Sequence, residues 1–492
     1  MFYNRKILFI LLFFLSNNFY LFCMSFDEFY PDDRPDIYEF DSESLIDKTI
    51  KEKEKNKKSK WELISEKRKK ISKKESPKVE ENQGFIPTPT TLNKIAGQSV
   101  KNYSDLKDLL ERGEFNLINL IDTVLDLSLK NEVGLLNIKN SWIKNGINLD
   151  INDLGLVSLN YVKKCKLAGE QKVVILGDFH GKGELFEKVI RDLIAKKILG
   201  QDLKLAQGYK IVSLGDYLDR GPDSLSIILT LMILRLINLE NIVILQGNHE
   251  YNQYFMQENL LLVTFLDELN SKSFLENATY YAEKFANYFK LSPVAYFITN
   301  KDNQHFMFNH AGWDRNLSII ELFLNSDKTL CKIDEEIAYG LVWNDINFGS
   351  KRIDKISQSL RGAGTYMYPY QKILSQADDL AINCKFNGHG HSYPKGNLEY
   401  EGYNKFIEKK SPGFVKNNNF FDTETESFSN CDIYTIISGS VDNYHNYYPS
   451  YLIFTIDNDD EYFVSGYCQK DTEKEFEKVE IEDWDNCWQY DN

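Results

Sequence analysis

From Gln171 onward, short apolar runs alternate with helical segments, and the apolar runs break into polar clusters at their ends. "KVVILG", "YKIVSLG" and "NIVILQG" read as strands, separated by "GELFEKVIRDLIAKKIL" and "DSLSIILTLMILRLINLE", which both have helical period. Strand, helix, strand, helix, strand implies parallel pairing with right-handed crossovers. Functional groups of such sheets gather just past the carboxyl ends of the strands. Later runs, "HFMFNH", "INCKFNG", "IYTIISG" and "SYLIFTI", also read as strands. The expected class is α/β.

The strand ends carry the chemistry. "GDFHG" supplies Asp178 and His180, "GDYLDRG" supplies Asp216, Asp219 and Arg220, and "GNHE" supplies Asn248 and His249. "NHAGWD" then adds His310, and "NGHGHS" adds His389 and His391. Five of the chain's seven histidines stand at these ends; only His305 and His445 lie elsewhere. Singly, each cluster is weak, since a Gly-Asp at a strand exit is commonly a turn and a lone histidine a hydrogen-bonded loop residue. Asp219 and Arg220 alone could be a surface ion pair, although the rigid "DRGP" turn beside Asp216 favours a site. Jointly, five strands read as one sheet all end in hard-oxygen or imidazole ligands. That donor set suits Mn, Fe or Zn, and two such ions about 3.5–4 Å apart can clamp a phosphoryl group.

In that order, "GDFHG", "GDYLDRGPDS" and "GNHE" resemble the signature of the calcineurin-like metallophosphoesterases. "GDYLDRG" further resembles the PPP-type serine/threonine phosphoprotein phosphatases among them. The resemblance runs from about Lys172 to Ile456. "LVWND" is similar to that branch's Trp-Ser-Asp segment, with Asn344 in place of serine, and Arg361 in "LRGAGTYMY" is similar to its phosphate clamp. The resemblance implies a metallophosphoesterase-type β-sandwich, with mixed sheets flanked by helices; the helical N-terminal extension lies outside it and is read from periodicity alone. It implies a two-metal phosphoester hydrolase, foremost a serine/threonine-type protein phosphatase using a metal-bridging hydroxide. Asp178, His180 and Asp216 would bind the first ion. Asp216 would bridge to the second, which Asn248, His310 and His389 complete. A carboxylate can bridge two cations, whereas imidazole serves one and must be neutral to bind. His249, paired with Asp219, would protonate the leaving alkoxide. Arg220 and Arg361, together with Asn248, would hold phosphate oxygens, a task suited to the planar guanidinium.

His391 points to an alternative. In the phosphodiesterase and nucleotidase branches a second histidine there ligates the first metal, so a nucleotide phosphodiesterase or dinucleoside polyphosphate hydrolase is the alternative reading. His391 is then either a ligand or a bystander. A second alternative, an inactive binding module on the same fold, is disfavoured because every expected ligand type is present.

The flanks are read more coarsely. Arg5 and Lys6 precede "ILFILLFFL", a basic start and a short apolar core that mark residues 1–25 as a signal peptide or N-terminal anchor. Export through the secretory pathway is expected, to a secreted, periplasmic or membrane-anchored state. Residues 26–91 read as a charged, solvated linker, with membrane contact or partner docking as the sharper option. Residues 51–78 hold a local +8, which leaves about −23 for the remainder, given a formal net charge of −15. So acidic a body argues against nucleic acid as a partner; a phosphorylated protein or small phosphoester is the expected substrate. Residues 92–170 read as a helical extension, from the apolar face of "FNLINLIDTVLDLSL", and 171–466 as the catalytic domain. The polar stretch 392–432 is either a flap or a surface excursion, and 467–492 an acidic tail. Six cysteines beyond Cys23 include no CxxC pair, which excludes a zinc knuckle and leaves disulfides or buried thiols open.

Overall fold

The computed structural model describes residues 116–138, 141–143, 159–167, 169–251, 254–256, 263–314, 317–347, 356–359, 364–388, 414–417, 421–422, 427–428, 431–436, 438, 449–469 and 476–479. All belong to the unit Ile86–Asn492. The expected signal or anchor (1–25) and linker (26–91) lie outside the described residues, as do most of 392–432 and of the tail.

Strands β2 (Gln171–Leu176), β3 (Tyr209–Ser213) and β4 (Ile242–Ile244) pair in parallel, and β16 (Ser450–Ile456) joins β2 antiparallel. With β17 (Tyr462–Cys468) and β18 (Glu477–Val479) they form a six-stranded sheet of order β18-β17-β16-β2-β3-β4. The crossovers are α2 (Gly183–Ala195) and α3 (Ser224–Asn238). A helix apolar all round must be buried or span a membrane. The segment Ser224–Asn241 is 72% buried, which makes α3 a core helix.

A second, seven-stranded sheet has the order β12-β15-β11-β6-β5-β1-β7. Its strands are β1 (Tyr161–Lys166), β5 (Ala295–Thr299), β6 (His305–Asn309), β7 (Leu330–Lys332), β11 (Ile382–Gly388), β12 (Phe414–Asn417) and β15 (Asp432–Ile436). Here the expectation of one sheet is corrected. The ligand-bearing strands β2, β3 and β4 belong to one sheet, β6 and β11 to the other. An apolar run specifies burial on both faces but not which strand lies beside it, so the sequence texture was the same for both.

The sheets pack face to face, as expected of the sandwich. Val173, Ile175, Val212 and Leu245 meet Phe306, Phe308, Phe386 and Ile436 between them. Phe308 and Phe386 stack at 5.0 Å. Fully burying such a side chain contributes roughly 1.5–3 kcal/mol. The outer face of the six-stranded sheet is covered by α1 (Asn116–Leu136), α2, α3, α5 (Phe265–Ser271) and α6 (Ala278–Lys290). The other outer face is covered by α7 (Ser318–Leu324), α8 (Glu335–Trp343) and α9 (Tyr370–Asp379).

Two flanking readings change. Within 92–170, α1 is helical as expected and buries Ile121, Val124 and Leu125, but residues 161–166 are strand β1 of the second sheet. Three lysines in "YVKKCK" hid it. Lys164 spends its charge inside, its Nζ donating to the carbonyls of Phe323 (2.7 Å), Leu324 (3.0 Å) and Ser326 (2.7 Å) at the end of α7. Within 392–432, residues 414–417 pair antiparallel with β15 as an edge strand, so that part is neither flap nor excursion. A small three-stranded sheet, β8 (Asp345–Asn347), β10 (Tyr366–Pro369) and β9 (Ser357–Gln358), adds to the architecture. The five described cysteines are free thiols.

Candidate metal centre

Asp178 and His180 follow β2, Asp216 follows β3, the single turn α4 (Asn248–Tyr251) follows β4, and His310 follows β6. Both sheets thus deliver side chains to one point. His180 Nε2 lies 3.2 Å from Asp216 Oδ2, and His310 Nε2 lies 3.4 Å from the same oxygen. His310 Nε2 is also 3.0 Å from Asn248 Oδ1, while its Nδ1 is 3.7 Å from Asp178 Oδ1. Among the described residues two groups of metal-ligand atoms result, His180–Asp216–His249 and Asp178–Asp216–His310, each within 4.8 Å. Asp216 stands in both. Asp178, expected beside His180, groups with His310, and His249, expected as an acid, falls within ligand reach of His180. Arg361, His389 and His391 lie outside the described residues.

The surroundings orient these groups. His180 Nδ1 donates to the Leu218 carbonyl at 3.0 Å, which leaves the Nε2 lone pair directed at Asp216. His249 Nδ1 meets Asp219 Oδ2 at 2.6 Å, and Asp219 Oδ1 accepts the Phe265 N–H at 2.8 Å. That N–H is delivered by the first turn of α5, which begins with a capping box between Thr264 and Asp267. Arg220 Nη2 lies 3.3 Å from His249 Nε2.

Four site residues occupy the left-handed backbone region: His180 (φ 43°), Asp216 (54°), Asp219 (66°) and Arg220 (66°). Each such conformation costs on the order of 1–3 kcal/mol and persists only where neighbours enforce it. The enforcing group for Asp216 is Glu250, the last residue of "GNHE", whose role has no mark in the sequence. Its buried carboxylate accepts the N–H groups of Asp216 (2.8 Å), Tyr217 (3.0 Å), Leu218 (3.3 Å) and Gly247 (2.9 Å). Successive N–H groups in such a turn form an anion-binding nest, and here the chain fills it with its own carboxylate. A Cβ at Gly247 would stand 2.2 Å from Asp216 Oδ1, so the close approach requires glycine.

Electrostatics follow from burial and proximity. Burial, reinforced by the Arg220 charge, lowers the His180 pKa to about 3. For His310, burial opposes the imidazolium, yet the carboxylates of Asp216 and Asp178 prevail and raise it to about 9. Burial works against ionised Asp216 too, but the His310, His249 and His180 rings outweigh it and hold its pKa well below the usual value. Burial, with Asp216 as neighbour, raises Glu250 to about 8, against the Asp216 N–H and the His310 ring, which favour its ionised form. The donor set of buried carboxylates, an amide oxygen and imidazole nitrogens fits a pair of divalent ions of the Mn, Fe or Zn type. Shared through one aspartate, it is the centre of a metal-dependent phosphoester hydrolase.

Residues 171–393 match the family model of the calcineurin-like phosphoesterases. Among solved structures, a protein serine/threonine phosphatase from Saccharomyces cerevisiae with similarity to human phosphatase PP5 is 16% identical. That likeness covers 71% of this chain and 90% of the yeast chain, with a TM-score of 0.43.

Proposed function

We propose that the domain hydrolyses phosphoserine or phosphothreonine in proteins with the help of two divalent ions. The observation that carries this reading is Asp216, shared between two buried ligand groups, one of which includes the His249 ring that Asp219 holds. Asp178, His180, Asp216, Asn248 and His310 would hold the ions, joined by His389. When bound, such a pair supplies a nucleophile at neutral pH and polarises phosphoryl oxygens. Asp219 fixes the His249 ring by accepting from Nδ1, which leaves Nε2, next to Arg220, as the atom that exchanges a proton with the leaving alkoxide. Arg220, partly exposed, offers its fork to phosphate oxygens. The preference for phosphoproteins is supported by "GDYLDRG" and its Asp219–His249 contact.

The test is turnover by the purified, metal-loaded protein of a phosphothreonine peptide, a diester and a dinucleoside polyphosphate, alongside ion counting. Two ions and preferential monoester hydrolysis are expected. Preference for the diester or polyphosphate would transfer the reading to the nucleotide branch, and an inert protein would remove it. We also propose export directed by the basic and apolar N-terminus; N-terminal sequencing of the mature protein and its cellular fractionation test this.

A further inference from the structure

We propose that Lys385 is a positioning residue for His310, acting by holding the carbonyl of the residue that follows it. The inference rests on the two-ion reading above. Lys385 lies on β11 and is 0% exposed. Its neighbours on the strand, Cys384 and Phe386, face the core between the sheets, so Lys385 projects to the opposite, helix-covered face. There its Nζ donates to the Ala311 carbonyl at 2.9 Å. The Asn309 side chain donates to the same carbonyl at 2.9 Å, and to those of Gly312 (3.2 Å) and Leu341 (2.9 Å). Further along β11, the Gly388 N–H donates to the His310 carbonyl at 2.8 Å. One strand therefore grips the His310–Ala311 backbone at two successive carbonyls, one through its main chain and one through Lys385.

A lysine in that place is costly. Burying an amine without a carboxylate partner is strongly unfavourable, and an apolar side chain of similar length would pack there without the penalty. Burial lowers the amine's pKa to about 7, against the thiol groups of Cys431 and Cys384. The core retains the amine for what it holds, the turn that aims His310 at Asp216 and Asn248. Residues that orient a metal ligand typically change ion affinity about 10–100-fold when altered.

The experiment compares wild type, Lys385→Met and Lys385→Gln by thermal melting of the metal-stripped proteins and by ion titration against a chelator. The expected result separates stability from function. Lys385→Met melts at or above the wild-type temperature, yet binds one of its two ions about 10–100-fold more weakly. Lys385→Gln, which retains a donor, falls between the two in affinity, and excess metal restores activity to both variants. Unchanged affinity for both ions in Lys385→Met overturns the inference. So does a loss of melting temperature in both variants, or their failure to fold, since Lys385 would then be a packing residue. A wild-type protein that binds no ion pair would instead fail the parent reading.

Discussion

Asp219 Oδ2 lies 2.6 Å from His249 Nδ1, while its other oxygen accepts the Phe265 N–H at 2.8 Å. The carboxylate is thus fixed from behind and orients the ring. Asp219→Asn is expected to lower kcat on a phosphothreonine peptide by roughly 10²-fold or more, with the ion count unchanged. The loss is smaller for a nitrophenyl phosphate, whose leaving group departs without a proton. Steady-state kinetics on both substrates, with ion analysis, check this.

Asp216 belongs to both ligand groups, whereas His180 belongs to one. Asp216→Asn should strip both ions on dialysis, and His180→Ala should strip one preferentially. Elemental analysis of the dialysed proteins distinguishes the two.

Glu250 accepts four N–H groups around the Asp216 turn. Glutamine would aim an N–H₂ donor at part of that nest. Glu250→Gln is expected to cost about 1–3 kcal/mol in stability and to weaken ion binding by about 10–100-fold. Denaturant titration and ion titration measure the two effects separately.

Glu132 on α1 receives Arg235 Nε of α3 at 2.9 Å and Nη2 at 3.3 Å, and both side chains are buried. Removing one partner strands the other charge. Glu132→Ala should destabilise the fold by about 3–5 kcal/mol, a larger effect than the loss of an exposed ion pair. Denaturant unfolding checks it, and the folded fraction should keep its ion content.

The Lys385 amine has its pKa lowered from 10.5 to about 7. Between those values the unfolded chain holds a proton that the folded chain has released. This group's contribution is therefore complete above its unfolded pKa and is lost as pH falls through about 7. Stability measured against Lys385→Met should rise with pH across that window, by up to about 1.4 kcal/mol per unit. A flat difference would contradict it.

Much of the site was legible because ligands at strand ends leave a local mark. "GDFHG", "GDYLDRG" and "GNHE" each place a ligand just past a buried run, and the described members do converge. The sandwich was legible only through the resemblance, since pairing between distant segments leaves no local mark. β1 escaped because its lysines serve partners far away in sequence, Lys163 meeting Glu240 and Lys164 the end of α7. Glu250 and Lys385 escaped for a related reason. Their work is done on main-chain atoms of other segments, and backbone partners have no sequence identity to recognise.

Asp178, Asp216 and Asn248 hang from one sheet and His310 from the other, so the centre is a seam that exists only once the two halves close. An ion bound across that seam would tie the two sheets together, so metal binding and folding are coupled. Affinity orders for divalent ions differ little from site to site, and supply decides much of what is bound.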